Sequence, residues 1–89
     1  MIRRYARISG WVQGVGFRYY VRHTASRFAL TGWVRNREDG DVELEVQGDT
    51  FSVEEFLRLV QEGNRYSQVE GMEVFPLNPI GEYGFEILD

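Results

Sequence analysis

The sequence predicts an α+β domain in which two helices cover one face of an antiparallel β-sheet. The first supporting observation is periodicity: apolar residues alternate, as in strands, in segments that flank two segments with helical spacing. The second is order, because these segments follow one another as βαββαβ, with a short additional strand at the carboxyl end. Two right-handed crossovers in one sheet place both helices on the same face and the first and third strands side by side at its centre. We therefore expect a ferredoxin-like α/β sandwich, formed by residues 1–89 as a single domain.

The first half of the chain predicts a strand, a helix and a second strand. Residues 5–12 alternate, and one face of this strand carries Ala6, Ile8, Gly10 and Val12. Residues 17–29 have helical spacing, and the side chains that this spacing would bury are Phe17, Tyr20, Val21, Ala25 and Phe28. Residues 31–36 alternate again and are followed by an Asp-Gly pair, which indicates a β-hairpin.

The second half predicts two more strands of the sheet, a helix and the short final strand. Residues 41–47 alternate cleanly, with valine and leucine facing inward and acidic or amide side chains facing outward. Ser52 and Glu55 have the spacing of a capping box, so we expect them to begin the second helix. Residues 69–75 predict the fourth strand, and residues 83–88 predict the final one.

Charge is distributed unevenly along the chain, although the net charge is only −4. Residues 1–37 contain eight arginines and no acidic residue, whereas residues 38–89 contain all fourteen acidic residues. Two interpretations remain open at this point: the basic half binds an anionic ligand, or the two halves pair across the folded surface. The overall acidic balance is not typical of a nucleic-acid-binding domain.

The sequence lacks cysteine and lacks a membrane-spanning segment, and each absence excludes a class of protein. The chain has no cysteine, which excludes disulfides and thiolate chemistry. It also has no apolar run long enough to span a bilayer. We expect a cytoplasmic monomer that binds neither a membrane nor nucleic acid.

The predicted first strand and first helix are joined by a loop that contains Gly14-Val15-Gly16, and Arg18 follows in the first helical turn. Without a Cβ at the glycines, the backbone can approach a bound group closely. The loop amides and the helix N-terminus would then point at one spot, where the helix dipole favours an anion. The guanidinium of Arg18 offers donors that match phosphate oxygens. The pattern predicts an oxyanion site; the alternative is an ordinary strand-to-helix turn with a solvated arginine.

Two segments of the sequence resemble the two signatures of the acylphosphatase family. Residues 12–18 read Val-Gln-Gly-Val-Gly-Phe-Arg and match the first signature without a gap. Residues 32–48 match the second at its fixed places, which are Gly32-Trp33-Val34-Arg35-Asn36, Gly40, Val42 and Gly48. The likeness in length and element order covers nearly the whole chain. One departure is Gly63-Asn64, which stands where the family pattern has Gly-Pro.

The resemblance implies hydrolysis of small acyl phosphates, which are mixed anhydrides of a carboxylic acid and phosphate, with no metal and no cofactor. It implies that Arg18 and Asn36 are the catalytic residues, with Asn36 orienting the attacking water. It also implies a phosphate-binding loop formed by Gln13, Gly14, Val15, Gly16, Phe17 and Arg18. Inorganic phosphate or sulfate would be a product-like ligand of the same loop.

The residue types around this loop suit that reaction. An acyl phosphate expels a carboxylate, whose conjugate acid has a pKa of about 4, so the leaving group needs no general acid. The attacking water needs only to be oriented, and a neutral side-chain amide can orient it with its carbonyl oxygen and NH2 group. His23, the lone histidine, lies about 140° around the helix from Arg18 and is not expected to act as a base.

Two other interpretations remain for the same residues. Asn36 stands where asparagine often begins a turn, so its role could be structural only. The whole domain could also be a non-catalytic module that binds a small anion on the loop, or RNA on sheet aromatics such as Trp11 and Trp33.

Overall fold

The computed structural model describes residues 1–88, and within them it shows five strands and two helices in the predicted order. The strands are β1 (Ile2–Trp11), β2 (Thr31–Asn36), β3 (Val42–Gly48), β4 (Gln68–Leu77) and β5 (Phe85–Leu88). The helices are α1 (Phe17–Arg27) and α2 (Thr50–Glu62). The ferredoxin-like α+β prediction is confirmed.

The five strands form one sheet in the order β4-β1-β3-β2-β5, so β1 and β3 are adjacent and central as predicted. The sheet is mixed, however, because β5 runs parallel to β2 while the other neighbours are antiparallel. The reason is the route of the chain. Strand β4 ends beside Arg3, which lies at the end of the sheet where β1 and β2 begin. From there the chain crosses to the opposite edge of the sheet. It therefore starts β5 at the same end as β2, and the two strands run parallel.

One apolar core fills the space between the sheet and the two helices. Strands β1, β2 and β3 contribute their alternate residues, and both helices bury one stripe against them. Fully buried members of this core are Ala6, Ile8, Val21, Ala25, Val34, Val42, Leu44, Val46, Val53, Phe56 and Val60. Phe17 is also buried, at the first position of α1, so the start of that helix is fixed to the core.

The ends of both helices differ from the sequence prediction. Helix α1 ends at Arg27 rather than near Ala29, and it buries Thr24, whose hydroxyl donates to the backbone carbonyl of Tyr20 at 2.8 Å. The predicted capping box of α2 was wrong: the helix begins at Thr50, and Asp49 caps it by accepting the backbone N–H of Ser52 at 3.1 Å. The carboxylate of Asp49 stands one residue before the helix, so the helix begins earlier than Ser52.

The face of the sheet opposite the helices is covered by ion pairs and by the segment between β4 and β5. Arg3 is only 2% exposed and donates to Glu45 at 2.9 Å and to Glu82 at 2.8 Å. Gln47 is buried as well, because its side-chain amide pairs with the backbone of Ile80. The polar side chains of β3 do face away from the apolar core as predicted, but Gln47 and Glu43 are buried on that side, and Glu43 lies under Tyr5 and Arg35.

These carboxylates make the stability of the fold depend on pH. Burial opposes ionisation of Glu43, but hydrogen bonds from Tyr5 and Arg35 outweigh it and lower the pKa of this carboxyl. Burial also opposes ionisation of Glu82, where the hydrogen bond from Arg3 again leaves the pKa lowered. A carboxyl whose pKa is lower in the folded protein stabilises the fold above its unfolded pKa of about 4.3, and that stabilisation is lost as the pH falls through the folded pKa.

We therefore expect the free energy of unfolding to decrease as the pH falls below about 4.3, as measured by urea denaturation over a pH series. The same series on Glu82→Gln should show a shallower decrease, because one of the shifted carboxyls is gone. An unchanged pH dependence in Glu82→Gln would assign the effect to other groups.

Candidate active site

The loop between β1 and α1 is held in a conformation that only glycine adopts readily. Gly14 and Gly16 have φ angles of 75° and 74°, in the left-handed region. Gly16 is also the N-cap of α1, and it has no side chain with which to bond the first amides of the helix. A Cβ added at Gly14 would meet nothing within 4 Å, so the outer surface of the loop is open.

The backbone N–H groups of this loop lack partners. Among residues 1–88, the amides of residues 14–19 donate no hydrogen bond to a backbone or side-chain acceptor, and the first helical bond is from Tyr20 N–H to Gly16 C=O at 3.1 Å. The first four of these donors in any α-helix are unpaired, and the glycine loop adds two more. A run of consecutive donors without an acceptor, at the positive end of a helix dipole, forms a site suited to an anion.

Arg18 lies in the first turn of α1 and is half-buried. Within the described residues it takes part in none of the ion pairs, whereas the arginines at positions 3, 7, 35 and 37 all pair with carboxylates. No acidic residue stands in the first turn of the helix. Four arginines of the basic half therefore pair with carboxylates, as one interpretation of the charge distribution requires. Arg18 lies in the same turn as the unpaired amides, and anion binding there stays a prediction.

Asn36 is the last residue of β2. It shares a face with Val34, which is buried toward the helices. Its Oδ1 atom is buried and has no hydrogen-bond partner among residues 1–88. Strands β1 and β2 run in the same direction with β3 between them, so Asn36 lies toward the same end of the sheet as the loop. It is level with Ile8 of β1, roughly 10 Å away across the sheet.

Gln13 connects the loop to the hairpin between β2 and β3. Its Nε2 atom donates to the backbone carbonyls of Arg37 at 2.8 Å and Asp41 at 2.9 Å. Arg37 directly follows Asn36, so this side chain fixes the glycine loop relative to the end of β2. The side chain of Gln13 is thereby occupied, and only its backbone is available to a bound phosphate.

A cavity of about 510 Å³ lies beside the same hairpin, and its lining includes Asn36 but none of residues 13–18. Three carboxylates and two arginines also line it, and these arginines already pair with Glu43 and Asp39. The predicted anion site at the loop therefore lies outside this cavity.

The sequence model of the acylphosphatase family matches residues 4–87. The chain belongs to the acylphosphatase family. An acylphosphatase of Geobacillus kaustophilus is 45% identical over 76 residues, which are 85% of this chain and 81% of the relative. One of Clostridium beijerinckii is 42% identical over 88 residues, which are 98% of each chain. The crystal structure of the acylphosphatase from Bacillus subtilis superposes with a TM-score of 0.96 at 36% identity and covers 100% of both chains.

The protein is a hydrolase that acts on acyl phosphates, as the family and its solved structures support. A non-catalytic anion- or RNA-binding module is not favoured by these comparisons. No helix in residues 1–88 is long and apolar enough to cross a membrane. Within the same residues, no three histidine, aspartate or glutamate side chains are grouped so that they could hold a metal ion.

One contact of the loop between β1 and α1 could not be predicted from the sequence motifs. Asn64, which follows α2, donates from Nδ2 to the backbone carbonyl of Val15 at 2.9 Å. The only signal in the sequence was an asparagine where the family pattern has proline. A side chain from the turn after α2 therefore holds the glycine loop by a second attachment besides Gln13.

We expect Gln13→Ala to lower kcat/KM by about tenfold, because the loop and Asn36 lose their common attachment and small displacements of positioned groups are costly. The fold should persist, since the core contains no atom of this side chain. Steady-state assays on an acyl phosphate, with the melting temperature as a control for folding, measure this. A Gln13→Ala enzyme with unchanged kcat/KM would show that the attachment is dispensable.

Proposed function

We propose that the loop of residues 13–18 and the Arg18 guanidinium bind the phosphoryl group of a small acyl phosphate, and that Asn36 orients the water that attacks it. The observation that carries this proposal is the run of amides over residues 14–19 that have no acceptor among residues 1–88. Arg18 extends from the same turn without a carboxylate partner in that part of the chain, so its charge supports the same ligand.

The proposed site suits the charge that develops during phosphoryl transfer. The transition state is loose, with negative charge spread over the three equatorial oxygens, so catalysis consists of positioning and electrostatic stabilisation. Backbone donors fixed before the substrate arrives do this without reorganising. The buried Phe17 side chain anchors the start of the helix, and the backbone of the loop is therefore held by the core rather than by the ligand.

Asn36 supplies an acceptor for the nucleophile. Leaving a buried polar oxygen without a hydrogen bond costs about 1–3 kcal/mol, so a water molecule that donates to Oδ1 satisfies this atom. The oxygen of that water forms the new bond to phosphorus as the bond from phosphorus to the acyl oxygen breaks. The electron pair leaves with the carboxylate, and the proton of the water passes to the phosphate product or to solvent.

The direct test is an assay of the purified protein on benzoyl phosphate in the presence of a chelator. We expect equal amounts of benzoate and inorganic phosphate, at a rate that the chelator does not change. Loss of activity with the chelator would contradict a metal-independent mechanism. Tight, salt-dependent binding of single-stranded RNA without turnover would instead favour the binding module. The cytoplasmic location and the monomeric state remain predictions from the sequence.

A further inference from the structure

The turn that follows α2 is tightly fixed and ends against the glycine loop. Gly63 ends the helix with a φ of 78°, and a Cβ there would lie 2.5 Å from the Ser67 hydroxyl, so no side chain fits. The Asn64 backbone N–H donates to that hydroxyl at 2.9 Å, and the Asn64 carbonyl accepts from the Ser67 backbone N–H at 3.2 Å. The backbone of Asn64 is thereby held, which limits the directions its side chain can take.

This side chain bonds to one particular peptide group of the loop. Asn64 Nδ2 donates to the carbonyl oxygen of Val15 at 2.9 Å. A peptide unit is planar and the one between Val15 and Gly16 is trans, so the Val15 carbonyl and the Gly16 N–H point in opposite directions. Fixing the carbonyl toward Asn64 therefore fixes the Gly16 N–H on the other side, away from α2. That N–H is one of the donors without an acceptor among residues 1–88.

The same peptide group has little else to hold its orientation. Rotating this peptide changes ψ of Val15 and φ of Gly16, and glycine populates positive and negative φ with similar ease. Rotation of the peptide between Val15 and Gly16 is thus inexpensive for the backbone itself. A rotated peptide would present a carbonyl oxygen, rather than a donor, to a bound phosphoryl group.

We propose that Asn64 is a positioning residue, which locks the peptide between Val15 and Gly16 so that the Gly16 N–H is directed at the phosphoryl group. This inference rests on the proposed function of the loop. Only the molecules in which the Gly16 N–H is directed at the ligand bind substrate well. The apparent affinity for substrate therefore falls in proportion to the fraction of molecules in that conformation.

The decisive comparison is between Asn64→Asp and Asn64→Ala at neutral pH. A carboxylate has the shape of the amide but cannot donate to the Val15 carbonyl, and it attracts the Gly16 N–H toward itself. We expect Asn64→Ala to reduce kcat/KM on benzoyl phosphate by about tenfold and Asn64→Asp by about a hundredfold, near the effect of losing one oxyanion donor. A side chain that only filled space would give the reverse order, because aspartate conserves the volume.

Lowering the pH should partly restore the activity of Asn64→Asp, which is not expected if the side chain at position 64 only fills space. The carboxyl group introduced by Asn64→Asp can donate to the Val15 carbonyl once it is protonated. The activity of this variant relative to the parent should therefore rise as the pH falls toward about 4. Asn78→Asp introduces the same charge at an exposed position in the loop after β4 and serves as the matched control, with no expected change. Equal activity of the aspartate and alanine variants at position 64, or no recovery in acid, would overturn the proposal.

A measurement on the unaltered protein is independent of how the variants fold. When inorganic phosphate is titrated into ¹⁵N-labelled protein, the Gly16 amide resonance should move strongly if its N–H binds the ion. A Gly16 amide that does not respond while Val15 and Phe17 do would also overturn the proposal. The variant Arg18→Ala, assayed in parallel, distinguishes failure of the proposed function from failure of the inference about Asn64. If Arg18→Ala stays fully active, the proposed function fails. If Arg18→Ala is inactive but both position-64 variants have normal activity, only the role of Asn64 is refuted.

Discussion

Replacing Arg18 with alanine is expected to reduce kcat/KM on acyl phosphates by about a thousandfold or more, as for other arginines that stabilise a transferring phosphoryl group. The guanidinium is the charged group in the first turn of α1, and among residues 1–88 it has no carboxylate partner that would compensate for its removal. Inhibition by inorganic phosphate should weaken as well, because ground state and transition state both carry the phosphoryl charge. Steady-state kinetics with phosphate as a competitive inhibitor measure both effects.

Arg22→Ala is the matched control for this prediction. It removes the same charge one turn later on the same helix, and Arg22 is likewise in none of the ion pairs of residues 1–88. If the loop and Arg18 form the site, the Arg22 variant retains nearly full activity. Equal losses in the two variants would mean that the general positive field of α1, and not a specific contact, binds the substrate.

Replacing Asn36 with alanine should lower kcat by about a hundredfold while leaving inhibition by phosphate nearly unchanged, the result for a positioned polar group that acts on the nucleophile. The reason is that the buried Oδ1 without a partner is lost, whereas the amides over residues 14–19 remain. Parallel measurement of kcat and of the phosphate inhibition constant separates water positioning from anion binding.

Asn78→Ala, at an exposed loop position, controls for loss of an asparagine in general. Full activity of Asn36→Ala would refute the proposed orientation of water, and the role of Asn36 would then be only to begin the turn. A large rise in the phosphate inhibition constant would instead place its side chain on the phosphoryl group. The melting temperatures of both variants establish whether either result reflects unfolding.

The sequence alone determined the order of the elements, the fold class and the position of the glycine loop. These features depend on local patterns: alternation marks strands, helical spacing marks α1 and α2, and paired glycines mark the turn between β1 and α1. The central position of β1 and β3 was also predictable, because two right-handed crossovers in one sheet allow few arrangements.

Only the tertiary structure decided what the polar side chains bind. The Gln13 side chain reaches carbonyls 24 and 28 residues away, and the Asn64 side chain reaches one 49 residues away. Arg3 is buried because Glu45 and Glu82, from separate segments, close over it. Periodicity reports which face of an element is apolar, but a polar side chain has many potential partners of equal chemistry. Packing of the apolar core sets the distances between segments, and those distances select the partners.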